Sequence, residues 1–273
     1  MQHNGRDIGT FIATKEHRRF VEFANAVRKH RYIGLCYGPA GVGKTLSARR
    51  YAHWDVVEPF LEKWPRADPS DSEPAVTLAG TRTIFYTTSV SETIRDMRKS
   101  LENQLWHAED SIDQHLNYKE DEQVHQHKTD IELLIFDEAE RLSMNTVEYI
   151  RSIFDKKSIG VMLIGMPGME KRLSRFPQFY SRVGFAHHYR PLTGDELTFV
   201  LTRHWRSLGI TLDNADFTDV QAVATIARLT GGNFRLLHRL FTQIERIMKI
   251  NELTVITDDV VEAARSTLVI GVT

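Results

Sequence analysis

An α/β fold, built on a parallel sheet flanked by helices and followed by a small all-helical domain, is what this sequence predicts. Three observations carry the expectation. Short β-branched or aromatic runs alternate with amphipathic stretches over the first two thirds of the chain. After Pro191 the strand signal stops and only helical patterns follow. A length of 273 residues accommodates one large domain and a small one. The expected division is a core of 1–190, with an amphipathic helix at its N-terminus, and a helical domain of 191–273.

Element by element, Phe20, Phe23, Ala24 and Val27 recur at helical spacing among Arg18, Arg19, Arg28 and Lys29, so 15–30 reads as an amphipathic helix. The apolar run 33–37 leads into the turn residues Gly38, Pro39 and Gly41, and 45–52 suits a helix: strand, glycine loop, helix. Pro59, Pro65, Pro69 and Pro74 fall within 53–80, which predicts a long surface connection without regular structure. Residues 83–88 are β-branched and aromatic, hence a second strand, after which Ser91 and Glu92 open a helix reaching about Trp106. The polar segment 109–130 ends at the apolar run 133–136, a third strand buried on both faces. A helix over 143–155 and a strand over 161–165 continue the alternation. Helices over 195–208, 217–229, 233–250 and 257–267 complete the chain, with Gly209 and Gly231-Gly232 placed where helices stop.

Hydrophobic residues at 41% and charged residues at 26% describe an ordinary globular chain. With a formal net charge of -1 there is no global positive field to attract nucleic acid, so any DNA binding must come from a local patch. Cys36 is the sole cysteine and cannot form an internal disulfide; within its apolar run it reads as a small buried hydrophobe, which fits a reducing cytoplasm. Residues 1–10 are polar, and no apolar run reaches the roughly 18 residues of a membrane span, so neither secretion nor membrane insertion is expected.

The chemistry is concentrated in two places. Gly38, Pro39, Ala40, Gly41, Val42, Gly43, Lys44 and Thr45 match G-x-x-x-x-G-K-[ST], after a predicted strand and before a predicted helix. Glycines there let backbone N–H groups curl around phosphate oxygens, and the helix N-terminus, which continues with Leu46, adds partial positive charge. Lys44 can reach the terminal phosphates of ATP, and Thr45 can ligate Mg²⁺. The second place is the end of the third strand, separated from the loop by one intervening strand. Asp137 there can complete the Mg²⁺ shell, and Glu138 can orient or polarise the attacking water.

Further candidates lie outside these motifs. Met166, Pro167 and Gly168 follow the strand 161–165. Arg172, Arg175 and Arg182 come after it, and an arginine here could reach a neighbouring subunit's γ-phosphate; Arg182 is the preferred one. Arg235, at the start of a helix after Gly231-Gly232-Asn233, could fold over bound nucleotide. Basic candidates for DNA are Arg95, Arg98 and Lys99, with a second cluster at Arg18, Arg19, Arg28, Lys29 and Arg31; charged helix faces are more often simply solvated. His125, His127, His187 and His188 come without the cysteine partners or H-E-x-x-H spacing of a zinc site.

Taken in order, 38–45, 133–142, 161–173, 176–185 and 231–237 give the chain a recognisable sequence of parts. It resembles the AAA+ ATPases encoded by transposons and phages, of the TnsC, TniB and MuB kind, over roughly 11–269. The resemblance implies a P-loop AAA+ core with a helical lid, and an ATPase that assembles as a ring or helical filament on double-stranded DNA, selects a target and activates a transposase. It also implies that nucleotide lies between adjacent subunits and that basic residues after the second strand line the DNA path, which favours Arg95, Arg98 and Lys99. Met166 departs from the polar residue of such relatives, which implies slow, switch-like turnover or a substitute group. Two other readings share the core and lid: a replication-initiator or helicase-loader ATPase, and an assembly or secretion scaffold that binds no DNA.

Overall fold

A computed structural model describes residues 11–62, 73–119 and 131–268. Five parallel strands, β1 (Ile33–Tyr37), β2 (Thr83–Thr87), β3 (Leu133–Asp137), β4 (Gly160–Gly165) and β5 (Val183–His188), form one sheet in the order β2-β3-β4-β1-β5. The α/β expectation holds. β3 and β4 are buried along their whole length, as continuous apolar runs require when helices cover both faces of a parallel sheet. The strand standing between β1 and β3 in the sheet is β4, the last of the expected strands, and not β2, which separates them in the chain.

Helices α1 (Lys15–His30), α2 (Lys44–Tyr51), α5 (Ile94–Lys119) and α6 (Met144–Lys157) occupy places where the sequence predicted helices. Val27 and Phe23 of α1 pack onto Gly34 of β1, and Phe20, Ala24 and Val27 are fully buried, which accounts for the apolar stripe. Ser143 caps α6, its hydroxyl accepting from the Thr146 N–H.

Three expectations need correction. The segment 53–80 is not an irregular connection: α3 (Trp54–Leu61) and α4 (Glu73–Thr81) stand in it. Trp54, Val57, Phe60 and Leu61 form a buried helical stripe in spite of Pro59, and Pro74 lies in the first turn of α4, where a missing N–H costs no intrahelical bond. The helix expected to end near Trp106 runs on to Lys119, because Ala108, Ile112 and the buried His115 continue its inner face; the rest of that polar segment, with His125 and His127, lies outside the described residues. A fifth strand, β5, was not anticipated. At the sheet edge its residues alternate between half-buried and exposed, with Gly184, Ala186 and His188 outward, so no apolar run announces it.

Contacts divide the chain into two compact units. One is Phe20–Tyr189, with the sheet at its centre and the short helices α7 (Met169–Leu173) and α8 (Pro177–Tyr180) between β4 and β5. The other joins Arg190 onward to the segment ending at Arg19. It holds α9 (Asp195–Ser207), α10 (Phe217–Thr230), α11 (Phe234–Ile250) and α12 (Asp258–Ser266), packed around Trp205, Leu237, Ile244 and Val261. Trp205 Nε1 donates to the largely buried Asp219 at 3.2 Å, so this polar pair is satisfied inside the helical core. Among the described residues no helix is long and apolar enough to cross a membrane.

Candidate functional site

The loop of residues 38–43 leaves the C-terminal end of β1 and delivers the first turn of α2. Gly43, immediately before α2, has φ 110°, a left-handed conformation that side-chain-bearing residues rarely adopt. The Gly38 N–H donates to the Gly165 carbonyl at 3.3 Å, tying the loop to the tip of β4. One turn into α2, Ser47 Oγ lies 2.8 Å from the hydroxyl of Tyr189, whose own N–H donates to the Tyr37 carbonyl at 2.8 Å. The helix N-terminus is thereby fixed against the strand that feeds it. Val42 is buried beneath the loop, while Ala40, Thr45 and Leu46 are exposed.

Lys44 is buried, and its ammonium donates to the Gly38 and Pro39 carbonyls at 2.6 and 2.7 Å. Burial pulls its pKa below the ordinary lysine value, against the attraction of Cys36, Asp137, Glu140 and Glu138. Beside it, Thr45 Oγ1 donates to Asp137 Oδ2 at 2.6 Å, so the first turn of α2 and the last residue of β3 meet. Burial pushes the Asp137 carboxyl up from its usual range, opposed by hydrogen bonds from Thr45 and the Glu138 N–H and by the Lys44 charge.

These groups fit a polyphosphate with a hard divalent cation. The loop presents a buried ammonium at a helix N-terminus, the arrangement that favours phosphate oxygens. Thr45 and Asp137 offer two adjacent oxygens, which suits Mg²⁺, an ion that keeps several waters and takes few protein ligands. Among the described residues no cluster of three or more His, Cys, Asp or Glu could hold a metal ion by itself.

Glu138 comes directly after Asp137 with φ 57°, a left-handed backbone for a residue that carries a side chain. Its carboxylate is 3.5 Å from Arg141 Nη2, while Arg141 Nη1 donates to the Thr88 carbonyl at 3.0 Å. Burial pushes the Glu138 carboxyl up, Arg141 opposes this, and Glu140 and Asp137 reinforce it. Glu140 was missed in the sequence. Its Oε2 accepts from the Met166 N–H at 3.3 Å, which brings it to the tip of β4. A second acid two residues after Glu138 was the available signal, but nothing local distinguishes it from a solvated side chain.

The remaining candidates make other contacts or stand exposed. Arg172 donates through both guanidinium ends to the Glu140 and Leu142 carbonyls, so it braces the turn Ala139–Arg141. Arg182 forms a two-pronged ion pair with Asp155 of α6, at 2.6 and 2.9 Å. Arg175 is exposed, and among the described residues its side chain makes no hydrogen bond or ion pair. Arg95, Arg98 and Lys99 are exposed near the start of α5, where Arg98 pairs with Glu102 at 2.9 Å and lies over the Tyr149 ring. Arg235 is exposed on the first turn of α11, in the helical unit, behind an Asn233 cap. His187 and His188 stack on Phe23 and Tyr37, a packing role.

Comparison with known proteins adds four findings. Residues 27–173 match the pattern of a family described as AAA domain. The chain is 44% identical, over 96% of its own length and 97% of the relative's, to a Staphylococcus aureus protein described as a potential ATP-binding protein. Its fold is similar to that of the Thermotoga maritima RuvB Holliday junction branch migration motor, with a TM-score of 0.56 at 18% identity, covering 93% of this chain and 69% of that one. It is similar also to the ADP form of the Aeropyrum pernix ORC2 protein, with a TM-score of 0.56 at 14% identity, covering 97% and 71%.

Proposed function

The chain belongs to the AAA domain family, and from that premise we propose that it is an ATP-hydrolysing switch of the TnsC, TniB and MuB kind, which assembles on double-stranded DNA and directs a transposase. One observation carries the nucleotide part of the reading: Lys44, Thr45, Asp137 and Glu138, distant in sequence, converge at the C-terminal ends of β1 and β3. Ligands of open α/β sheets bind at that edge.

In this reading the loop amides and Lys44 hold the phosphates of ATP, with Lys44 exchanging its carbonyl partners for phosphate oxygens. Thr45 and Asp137 would hold Mg²⁺, which when bound neutralises charge on the phosphates. Glu138 orients the attacking water and accepts its proton. The helical domain, 191–273 on the sequence division, serves as a lid that brings Arg235 over the nucleotide, while the core of 1–190 carries the site. An arginine from 172–182 reaches a neighbouring subunit. Arg182 would have to release Asp155 to do so, and Arg175 has no such tie.

The DNA part rests on the run of motifs that resembles the transposition ATPases, and on a fold shared with a protein described as a branch migration motor. Arg95, Arg98 and Lys99 are its proposed phosphate contacts. The decisive experiment images the purified protein with double-stranded DNA, Mg²⁺ and a non-hydrolysable ATP analogue, alongside binding measured across a salt series. Rings or filaments that need both DNA and nucleotide, with affinity falling as salt rises, support the proposal. Nucleotide binding without DNA binding at low salt leaves the scaffold reading in its place.

A further inference from the structure

The sheet order makes the tip of β4 a privileged place. β4 lies between β1, which feeds the phosphate-binding loop, and β3, which ends in Asp137 and Glu138. A group standing there is flanked by both halves of the site. The residue the chain supplies at that point is Met166, whose thioether is only a weak hydrogen-bond acceptor and a poor orienter of water.

A carboxylate occupies the place instead. Glu140 Oε2 accepts from the Met166 N–H at 3.3 Å. Gly165 makes room for it, since a Cβ at that position would lie 2.7 Å from the same oxygen and 2.7 Å from Met169 Sδ. Glu140's own carbonyl, like that of Leu142, is held by the Arg172 guanidinium, and the Leu142 N–H closes the turn onto the Ala139 carbonyl at 3.2 Å. Both the backbone and the carboxylate of Glu140 are therefore fixed. A solvated carboxylate on a surface turn would not need the clamp behind it.

We propose that Glu140 is a positioning residue of the site: anchored on the Met166 amide, it supplies at the tip of β4 the polar group that Met166 lacks, and it holds Glu138 and the attacking water in register. The inference rests on the ATPase reading above and goes beyond it in assigning this residue. The assignment predicts that turnover survives methionine at this tip.

The test compares Glu140→Ala, Glu140→Gln and the double substitution Glu140→Ala with Met166→Asn in the full chain. It reads kcat and KM for ATP, affinity for a fluorescent ATP analogue, and hydrogen exchange of the Met166 amide. Glu140→Ala is expected to lower kcat about tenfold or more, within the range for losing one positioned polar group, while analogue affinity stays within about twofold. Met166 amide exchange should accelerate in the same variant. Glu140→Gln, which keeps an acceptor, should stay within about threefold of the parent, and asparagine at 166 should restore most of the lost kcat. An unchanged kcat in Glu140→Ala, an equal loss of analogue binding, or failure of Met166→Asn to rescue overturns the proposal. A parent protein that neither binds nor hydrolyses ATP defeats the ATPase reading itself; the exchange rate of Met166 still reports whether the anchor exists.

Discussion

Thr45 Oγ1 donates to Asp137 Oδ2 at 2.6 Å, a contact between residues 92 positions apart that closes the candidate site. The hydroxyl belongs to the first turn of the helix after the glycine loop and the carboxylate to the last residue of a central strand. Neither is placed by the other's local sequence. The sheet brings them together, and the chemistry of the site depends on that meeting.

Lys44→Ala removes the buried ammonium from the loop. Nucleotide affinity is expected to weaken by about 1.5–3 kcal/mol, roughly 10- to 150-fold, the worth of hydrogen bonds to a charged group. Nucleotide-dependent assembly should be lost with it. Calorimetry with ATP, alongside circular dichroism to verify the fold, reads the first, and light scattering reads the second. ATP-dependent assembly that persists in this variant contradicts the role assigned to Lys44.

Glu138→Gln keeps the shape of the side chain and removes the base. Turnover should fall about a hundredfold or more, with nucleotide binding and assembly intact. Steady-state phosphate release measured beside analogue binding separates the two quantities. Equal losses in both would mean that Glu138 serves binding and not the chemical step.

Asp137 has its pKa raised by burial, which fixes the sign of a pH effect. An acid whose folded pKa lies above its unfolded value favours folding while protonated, and that contribution is lost as pH rises through the folded pKa. Above that point the buried charge weakens the ligand-free protein. Asp137→Asn, which still accepts from Thr45, is expected to raise the melting temperature without ligand at neutral pH by about 2–4 °C, for a gain of roughly 1 kcal/mol. The stabilisation conferred by Mg²⁺ with nucleotide should vanish. Differential scanning calorimetry with and without ligand reads both; a lower melting temperature for the ligand-free variant refutes the assignment.

Substitutions at Arg182 and Arg175 distinguish a fold contact from the proposed intersubunit one. Arg182→Ala breaks the pair with Asp155, in which both side chains are about one-third exposed, so the loss is about 1 kcal/mol or less. Arg175→Ala should leave the melting temperature unchanged. If Arg175 is the residue that reaches a neighbour, its removal lowers turnover only in the assembled state, seen as a loss of the rise in specific activity with protein concentration. The same loss in Arg182→Ala, and not in Arg175→Ala, returns that role to Arg182.

The site was legible where its chemistry is local. Gly38 to Thr45 announce themselves because a loop that wraps phosphate needs glycine at fixed offsets, and Gly43 at φ 110° is such a position. Asp137 was legible only through the glycine loop: two acids ending an apolar run are often just a strand end in solvent, and the loop earlier in the chain made them the second half of one site. The strand β5 was not, since an edge strand needs only every second residue turned inward, and Gly184 and Ala186 leave no apolar signature. Pro59 and Pro74 disguised two helices, although Trp54, Val57, Phe60 and Leu61 carried the helical period.

By itself the sequence determined the fold class, through alternating strand and helix patterns, and it marked the glycine loop and the acidic pair as candidates, because each of these is written in a short stretch of chain. The tertiary structure decided which side chains share a site. Glu140 stands at the tip of β4, Arg172 braces a turn and Arg182 is turned onto Asp155 because hydrogen bonds cross 26 to 32 positions of chain. Such contacts come into being only when the sheet order sets strand tips side by side, and sheet order is a property of the packed whole.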